Sequence, residues 1–204
     1  TNMALKNATH CFITLGTSWI YRLVETNQIV ANCHKIPQKK FSKELLSVVE
    51  ITESLQQIIS LLKTVNSDIS IIFTVSPVRH LKDGFVENTQ SKAHLIAAIH
   101  LALQHKNLFY FPSYEIMLDE LRDYRFYAED MIHPNKIAIE YIWEKLITTW
   151  CSKDISPIMN KIETIQKGLL HKPFHEKSEK HQEFLENLKQ QIAQIKLEFP
   201  FMEF

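Results

Sequence analysis

The stretch ISIIFTVSP, Ile69 to Pro77, decides the fold class. It is a short apolar run that ends at a turn-forming Ser-Pro pair, a pattern typical of a buried strand. An earlier run, HCFITLG, ends in a similar way at Gly16, and LFYFPSY from Leu108 is a weaker third example. The sequence therefore predicts at least three buried strands.

Segments with helical periodicity separate these runs. Apolar side chains that recur at three- and four-residue steps predict helices over about Lys43–Thr64, Thr89–Gln104 and Ile137–Trp150. Strands that alternate with helices of this length favour right-handed crossovers and a parallel sheet covered on both faces. We therefore expect parallel strands at about Phe12–Leu15 and Ile71–Val75 in an α/β sandwich.

The C-terminal segment, residues 152–204, has a different pattern. It shows helical periodicity with breaks at Gly168 and Pro173 and no strand pattern. This predicts two helices packed outside the core, the second over roughly Ser178–Leu197 with a largely solvated face. The chain is expected to divide into an α/β domain, residues 1–151, and this helical extension.

Composition excludes several classes of protein. The 204 residues include 23 basic and 23 acidic side chains, so no overall field attracts nucleic acid. No apolar run approaches the roughly 20 residues of a membrane span, and we expect a soluble chain, cytoplasmic unless a preceding segment carries a targeting signal. The three glycines exclude a glycine-rich nucleotide loop, and the three cysteines and ten histidines show no metal-ligand spacing. We predict no metal and no cofactor.

Candidate site residues follow the strands, because ligands of open α/β sheets bind beyond the carboxyl ends of the strands. Asp130 and His133 lie in the loop AEDMIHP before the last core helix. A carboxylate that accepts the imidazole Nδ1–H leaves Nε2 free to take a proton from a hydroxyl nucleophile. The alternative is that Asp130 caps a helix and His133 is an ordinary loop residue.

Several blocks resemble the GSCFA family, which is placed with the SGNH/GDSL-type hydrolases. These blocks are ITLGTSWIY, ANCHKIP, IIFTVSPVRHLKDG, FPSYEIMLDELRDYRFYAEDMIHP and IEYIWEKL. The similarity covers roughly Phe12 to Trp150 and continues into the tail through HKPF. It implies a flavodoxin-like three-layer sandwich in which a serine nucleophile works with a D-x-x-H motif, here Asp130 and His133.

Two departures from the family pattern affect the proposed chemistry. Gly16 matches the glycine of the block that usually reads G-x-N-D, but Ser18 stands at the position of the oxyanion-binding asparagine and Trp19 at that of the aspartate. The GSCFA motif itself, which holds the nucleophile, is not present in the sequence. We therefore expect an N-terminally truncated fold whose nucleophile lies outside this chain.

Three residues after the second strand are further candidates for substrate contact. Ser76 precedes a proline, so its hydroxyl can face the crevice or simply belong to a turn. Arg79 offers a planar fork to a carboxylate or sugar oxygen, and His80 is its neighbour. A surface pair or a buried ion pair is the alternative for both. The charged run DELRDYRFY is interpreted as an ion-pair network that holds the D-x-x-H loop.

These observations lead to two hypotheses of function. The first is an SGNH-type ester hydrolase or acyl-transferring enzyme that acts through a serine acyl-enzyme, with a small-molecule or carbohydrate ester as substrate. The second is a non-catalytic binding module that keeps the fold, motivated by Ser18 at the position of the asparagine.

Overall fold

The computed structural model divides the chain into two compact units, Thr1–Glu144 and Lys145–Phe204. The structure describes residues 2–31, 33, 35–173 and 178–204. Phe174, the last residue of the HKPF block, lies outside the described residues, as do Asn32 and His34 of the ANCHKIP block.

The described residues of the first unit form two three-stranded sheets. One is parallel, with the strand order β1-β5-β6, and the other is antiparallel, with the order β3-β2-β4. The strands are β1 His10–Leu15, β2 Trp19–Leu23, β3 Gln28–Val30, β4 Phe41–Leu45, β5 Ser70–Val75 and β6 Leu108–Phe111.

Seven α-helices occur among the described residues. They are α1 Asn2–Asn7, α2 Val48–Val65, α3 Phe85–Ala102, α4 Ser113–Glu115, α5 Lys136–Trp150, α6 Ile155–Leu170 and α7 Glu179–Glu198. The short α4 continues as a π-helix over Ile116–Leu121. Within the described part of the chain, no helix combines the length and the apolar character needed to cross a membrane.

The parallel pairing predicted for the two main strands is confirmed. β1 and β5 run side by side in register from His10 opposite Ser70 to Leu15 opposite Val75. β5 is the central strand, and its Ile71, Phe73 and Val75 side chains are fully buried. These three pack with apolar residues of α2 and α3 in one core cluster, which includes Ile51, Leu55, Ile59, Leu95, Ala98, Ile99 and Ala102. The protein is thus a mixed α/β fold with a parallel sheet.

The antiparallel sheet was not predicted, and the expected start of the first long helix was wrong. Residues 43–45 belong to β4, which pairs along its whole length with β2, from Trp19 opposite Leu45 to Leu23 opposite Phe41. The helix begins only after Ser47, whose backbone is extended. The apolar residues of β4 happen to continue the helical spacing, whereas its pairing partner lies about 20 residues earlier and is invisible to local periodicity.

The second unit is built from α6 and α7 around Ile165, Leu188 and Ile195. Gly168 lies inside α6 and does not break it, contrary to the sequence prediction. A β-carbon at this position would lie 2.7 Å from Leu188 Cδ1, so the glycine gives Leu188 the space it needs. Close helix packing therefore overrides the weak helix propensity of glycine.

Ser47 and Glu50 form a capping box at the start of α2. The Ser47 hydroxyl accepts the Glu50 backbone N–H, and the Glu50 carboxylate accepts the Ser47 backbone N–H at 2.8 Å. Ser47→Ala should lower the free energy of unfolding by about 1 kcal/mol, because the Glu50 backbone N–H loses its side-chain acceptor. Urea denaturation measures this change. Ser60→Ala, on the exposed side of the same helix, is the matched control and should be neutral or slightly stabilising; equal losses in both variants would contradict the capping role.

Candidate functional site

The loop that contains Asp130 and His133 has the predicted hydrogen bond. Asp130 Oδ2 lies 2.6 Å from His133 Nδ1, while Oδ1 accepts the backbone N–H groups of Ile132 at 2.9 Å and His133 at 3.0 Å. These backbone bonds, together with the imidazole bond, lower the pKa of Asp130 to about 2. Asp130 is therefore a carboxylate at neutral pH, and the neutral His133 ring carries its proton on Nδ1 and its lone pair on Nε2.

Asp130 is not the N-cap of the following helix. The Asn135 side chain has that role, because its Oδ1 accepts the Ala138 backbone N–H at 3.1 Å at the start of α5. Pro134 also precedes the helix and pairs with Tyr127 in an isolated antiparallel bridge. The alternative in which Asp130 is simply a helix cap is thus wrong. The His133 side chain is 58% exposed, so solvent or a ligand can reach the ring.

The segment after β5 is attached to this loop by two hydrogen bonds. The Arg79 backbone N–H donates to Ile132 O at 3.1 Å, and its guanidinium donates to Met131 O at 2.9 Å. Met131 has a left-handed backbone with a φ of 56°, which is uncommon for a side chain of this kind. Among the described residues Arg79 forms neither the surface pair nor the buried ion pair considered as alternatives; it joins the carboxyl end of β5 to the D-x-x-H loop.

His80 lies against the turn after β1. A β-carbon at Gly16 would be 3.3 Å from His80 Nε2, so the glycine permits this close approach. The pKa of His80 is lowered, first by burial and then by the nearby charge of Lys92, with a smaller contribution from His133. The lowered pKa favours the neutral imidazole of His80 beside Gly16.

The structure brings Gly16 and Ser76 together through a residue that the sequence analysis missed. Lys92, on α3, is 1% exposed, and its Nζ donates to Gly16 O and Ser76 O, each at 2.6 Å. Its amine also lies 5.7 Å from the centre of the Tyr114 ring. Burial lowers the pKa of Lys92 to about 8. This lysine joins the carboxyl ends of two parallel strands.

A sequence pattern could have pointed to Lys92. Asn88, Ser91 and Lys92 occupy the same helical face as the buried Leu95 and Ile99, at three- and four-residue steps. Polar side chains on the buried face of a helix are expected to form hydrogen bonds with other groups inside the fold. Asn88 does so as well, because its Oδ1 accepts the His80 backbone N–H at 2.8 Å.

Ser18 is buried, and its polar groups are already engaged. Its backbone N–H donates to Ser91 Oγ at 2.8 Å, and its hydroxyl donates to Ser91 at 3.1 Å. The neighbouring Thr17 hydroxyl is also bonded to Ser91 Oγ, at 2.9 Å. To stabilise an oxyanion with its hydroxyl, Ser18 would have to give up its bonds to α3.

The remaining predicted residues have defined surroundings. The Ser76 hydroxyl accepts the Val78 backbone N–H at 3.2 Å, as in a turn, while its backbone N–H donates to Leu15 O. In the charged run, Asp123 and Arg125 form an ion pair at 3.0 Å, and Arg122 instead lines a cavity beside Arg79. Over the ranges that the structure describes, no three His, Cys, Asp or Glu side chains gather into a metal-binding group.

Lys92 should make stability depend on pH in an unusual direction. Because its folded pKa of about 8 lies below the 10.5 of an ordinary lysine, the unfolded chain binds more protons between these values, and stability rises with pH across this window. The free energy of unfolding of the protein, relative to Lys92→Met, should increase by up to about 3 kcal/mol from pH 7.5 to 10.5. Urea denaturation of both proteins at these pH values measures it.

Lys63→Met is the control for this experiment. Lys63 is only partly buried, and it also donates to two backbone carbonyls, those of Ser67 and Ile69. The difference between the protein and Lys63→Met corrects for general effects of removing a lysine at high pH. A relative stability of Lys92→Met that stays constant or moves the other way would contradict the buried cation.

Comparison with known proteins gives a family for the chain. A sequence model of the GSCFA family matches residues 1–146, and a model described as the GSCFA domain protein, C-terminal domain, matches residues 162–204. No curated protein matches the chain. Because the first match covers well over half of the 204 residues and includes both Asp130 and His133, the chain belongs to the GSCFA family.

Proposed function

We propose that the intact protein is an SGNH-type serine hydrolase or acyl-transferring enzyme acting on a small-molecule or carbohydrate ester. The observation that carries this proposal is the 2.6 Å bond between Asp130 and His133. The carboxylate is itself held by two backbone N–H groups, so it fixes both the tautomer and the orientation of an exposed imidazole. This is the arrangement of a general base and its orienting acid.

The finer fold is part of the same proposal. A flavodoxin-like three-layer sandwich of the SGNH kind is supported by the parallel order β1-β5-β6 and by α2 and α3 packing together on one face of β5. The site lies where such a fold binds ligands, because Gly16 and Ser76 directly follow the carboxyl ends of β1 and β5.

The reaction follows from these positions. His133 Nε2 takes the proton of the nucleophilic serine, which the family motif supplies and which we do not assign within Thr1–Phe204. The serine oxygen forms a bond to the acyl carbon, the ester C–O bond breaks, and the departing alkoxide receives the proton from His133. Water, or an acceptor alcohol in a transferase, then repeats these steps and releases the acyl group.

In this scheme the chain supplies an oxyanion donor and, separately, side chains that contact the substrate. The backbone at Gly16 is the proposed oxyanion donor, since the hydroxyl of Ser18 is committed to α3. Arg79 and His80 are the proposed substrate contacts, and Ser76 shapes the turn between them and β5. Because Asp130 remains ionised well below neutral pH, it keeps the proton of the neutral His133 ring on Nδ1.

The second candidate, a binding module without catalysis, is favoured by one observation. Ser18 stands at the position of the oxyanion asparagine and is 2% exposed, so this position offers no side-chain donor. Such a module would keep the fold and the D-x-x-H loop for ligand binding alone. Kinetics of the intact protein separate the two candidates.

His133→Ala should abolish hydrolysis of 4-nitrophenyl acetate by the intact protein, and Asp130→Asn should reduce the turnover number by orders of magnitude, because the ring then loses its correct tautomer. Absorbance of released 4-nitrophenolate measures both rates. His105→Ala is the matched control, since His105 is exposed in the loop before β6, at the opposite end of the strands. Unchanged melting temperatures exclude unfolding as the cause.

A protein that hydrolyses the ester equally well without His133 would refute the assigned base. Failure of the unsubstituted intact protein to release any 4-nitrophenolate or transfer any acyl group would favour the binding module. Unchanged turnover in Asp130→Asn would leave Asp130 with a role in loop structure only.

A further inference from the structure

A cavity of about 230 Å³ lies beside the D-x-x-H loop. Its wall includes Arg79, Arg122, Asp123, Tyr124 and Tyr127. Pockets for drug-sized ligands occupy about 300–1,000 Å³, so this cavity suits one functional group or one ring. We call it the Arg79–Arg122 cavity.

Two arginines, Arg79 and Arg122, line the cavity. Neither Arg79 nor Arg122 forms an ion pair within the described ranges of the chain. Arg79 uses one donor on Met131 O, which leaves most of its N–H fork for a ligand. Two cations on one concave wall repel each other, and an anion placed between them relieves that repulsion.

Asp123 is the carboxylate that the described residues contribute to the wall, and an ion pair already neutralises it. Asp123 accepts the Arg125 guanidinium at 3.0 Å and the Arg125 backbone N–H at 2.8 Å, and these bonds lower the pKa of Asp123. The charged residues that line the cavity are two arginines and this one aspartate, whose charge is balanced by Arg125. The Arg79–Arg122 cavity is therefore electropositive although the whole chain has a formal net charge of zero.

Aromatic rings hold one of these cations in place. The Arg79 guanidinium carbon lies 5.5 Å from the centre of the Phe85 ring, 5.8 Å from that of Tyr124 and 5.4 Å from that of Tyr127. These cation–π contacts and the bond to Met131 O restrict the side chain without neutralising its charge. A fixed guanidinium recognises a planar anion at a smaller entropic cost than a mobile one.

The second cation is presented by unusual backbone. Arg122 ends the π-helix Ile116–Leu121 with a left-handed conformation, φ 42° and ψ 24°, and its N–H donates to Met117 O. Single π-helical turns and left-handed non-glycine residues cost free energy and occur frequently at functional sites. This backbone directs the chain so that Arg122 and Arg79 line the same cavity.

We propose that the Arg79–Arg122 cavity binds a carboxylate carried by the ester substrate. The inference rests on the proposed function and specifies its substrate class. Arg79 connects the cavity to the reaction centre, because its backbone and side chain bond to Ile132 and Met131, the two residues before His133. A carboxylate held there anchors the rest of the substrate beside the imidazole.

The carboxylate can belong to the acyl part or to the alcohol part of the ester, and paired substrates distinguish these sources. The first pair is 4-nitrophenyl hydrogen glutarate and its neutral methyl ester, with the charge on the acyl side. The second pair is 4-acetoxybenzoate and its neutral methyl ester, with the charge on the alcohol side. The intact protein should prefer the charged member of at least one pair in kcat/KM.

Arg122→Met should lower kcat/KM for the preferred charged ester by roughly tenfold, as expected for the loss of one charge-assisted contact at a partly exposed site. The neutral member of the pair should change little. Arg79→Met should have a larger effect on both members, since it also loosens the D-x-x-H loop. Arg22→Met is the control, because Arg22 pairs with Glu44 in the antiparallel sheet and does not line the cavity.

A binding measurement tests the cavity independently of catalysis. Calorimetric titration of glutarate and of 4-hydroxybenzoate into intact His133→Ala protein should show binding of at least one anion, and adding Arg122→Met should weaken it roughly tenfold. Binding without hydrolysis in the unsubstituted protein would refute the proposed enzyme and keep the carboxylate site. No binding of either anion, binding that ignores Arg122→Met, or no preference for charged esters would overturn the inference.

Discussion

The geometry of the site depends on the hydrogen bonds that the buried amine of Lys92 donates to two backbone carbonyls. A parallel sheet brings the carboxyl ends of its strands to one edge, but each strand continues into a loop of its own. Lys92 fixes two of these exits at once, because its Nζ contacts the carbonyls of Gly16 and Ser76. No carboxylate of the described residues pairs with the amine, which is stabilised by these carbonyl dipoles in place of water. The residues after β1 and β5 are thus positioned from inside the fold.

The D-x-x-H loop, in contrast, is held by hydrogen bonds between residues that are close in sequence and exposed at the surface. Asp130 satisfies two N–H groups and the imidazole within four residues, and Arg79 fastens the loop to the end of β5. An exposed histidine therefore has a fixed orientation without a surrounding core. Together, Lys92 and Arg79 connect a rigid sheet edge to a solvent-exposed base.

Sequence reasoning succeeded where the relevant partners are close in the chain. The Asp130–His133 bond spans three residues, and β5 is a continuous apolar run, so both were predictable. It failed where the partners are distant. Lys92 lies 76 residues from Gly16, and β2 and β4 of the antiparallel sheet are short and of mixed polarity. A lone lysine in a helix is usually solvated, and only the polar neighbours on its buried face distinguish this one.

The polar residues of α3 also prevent the helix from packing against the sheet in a shifted position. Asn88, Ser91 and Lys92 each bond to a different part of the chain: the His80 backbone, the residues after β1, and the end of β5. If α3 slid or rotated by one residue against the sheet, a turn of about 100° would carry all three groups away from their partners together. The same rotation would move buried apolar residues of α3 out of the core, and in addition several buried polar groups would lose their hydrogen bonds at once. The polar residues of α3 therefore fix its position and rotation against the sheet.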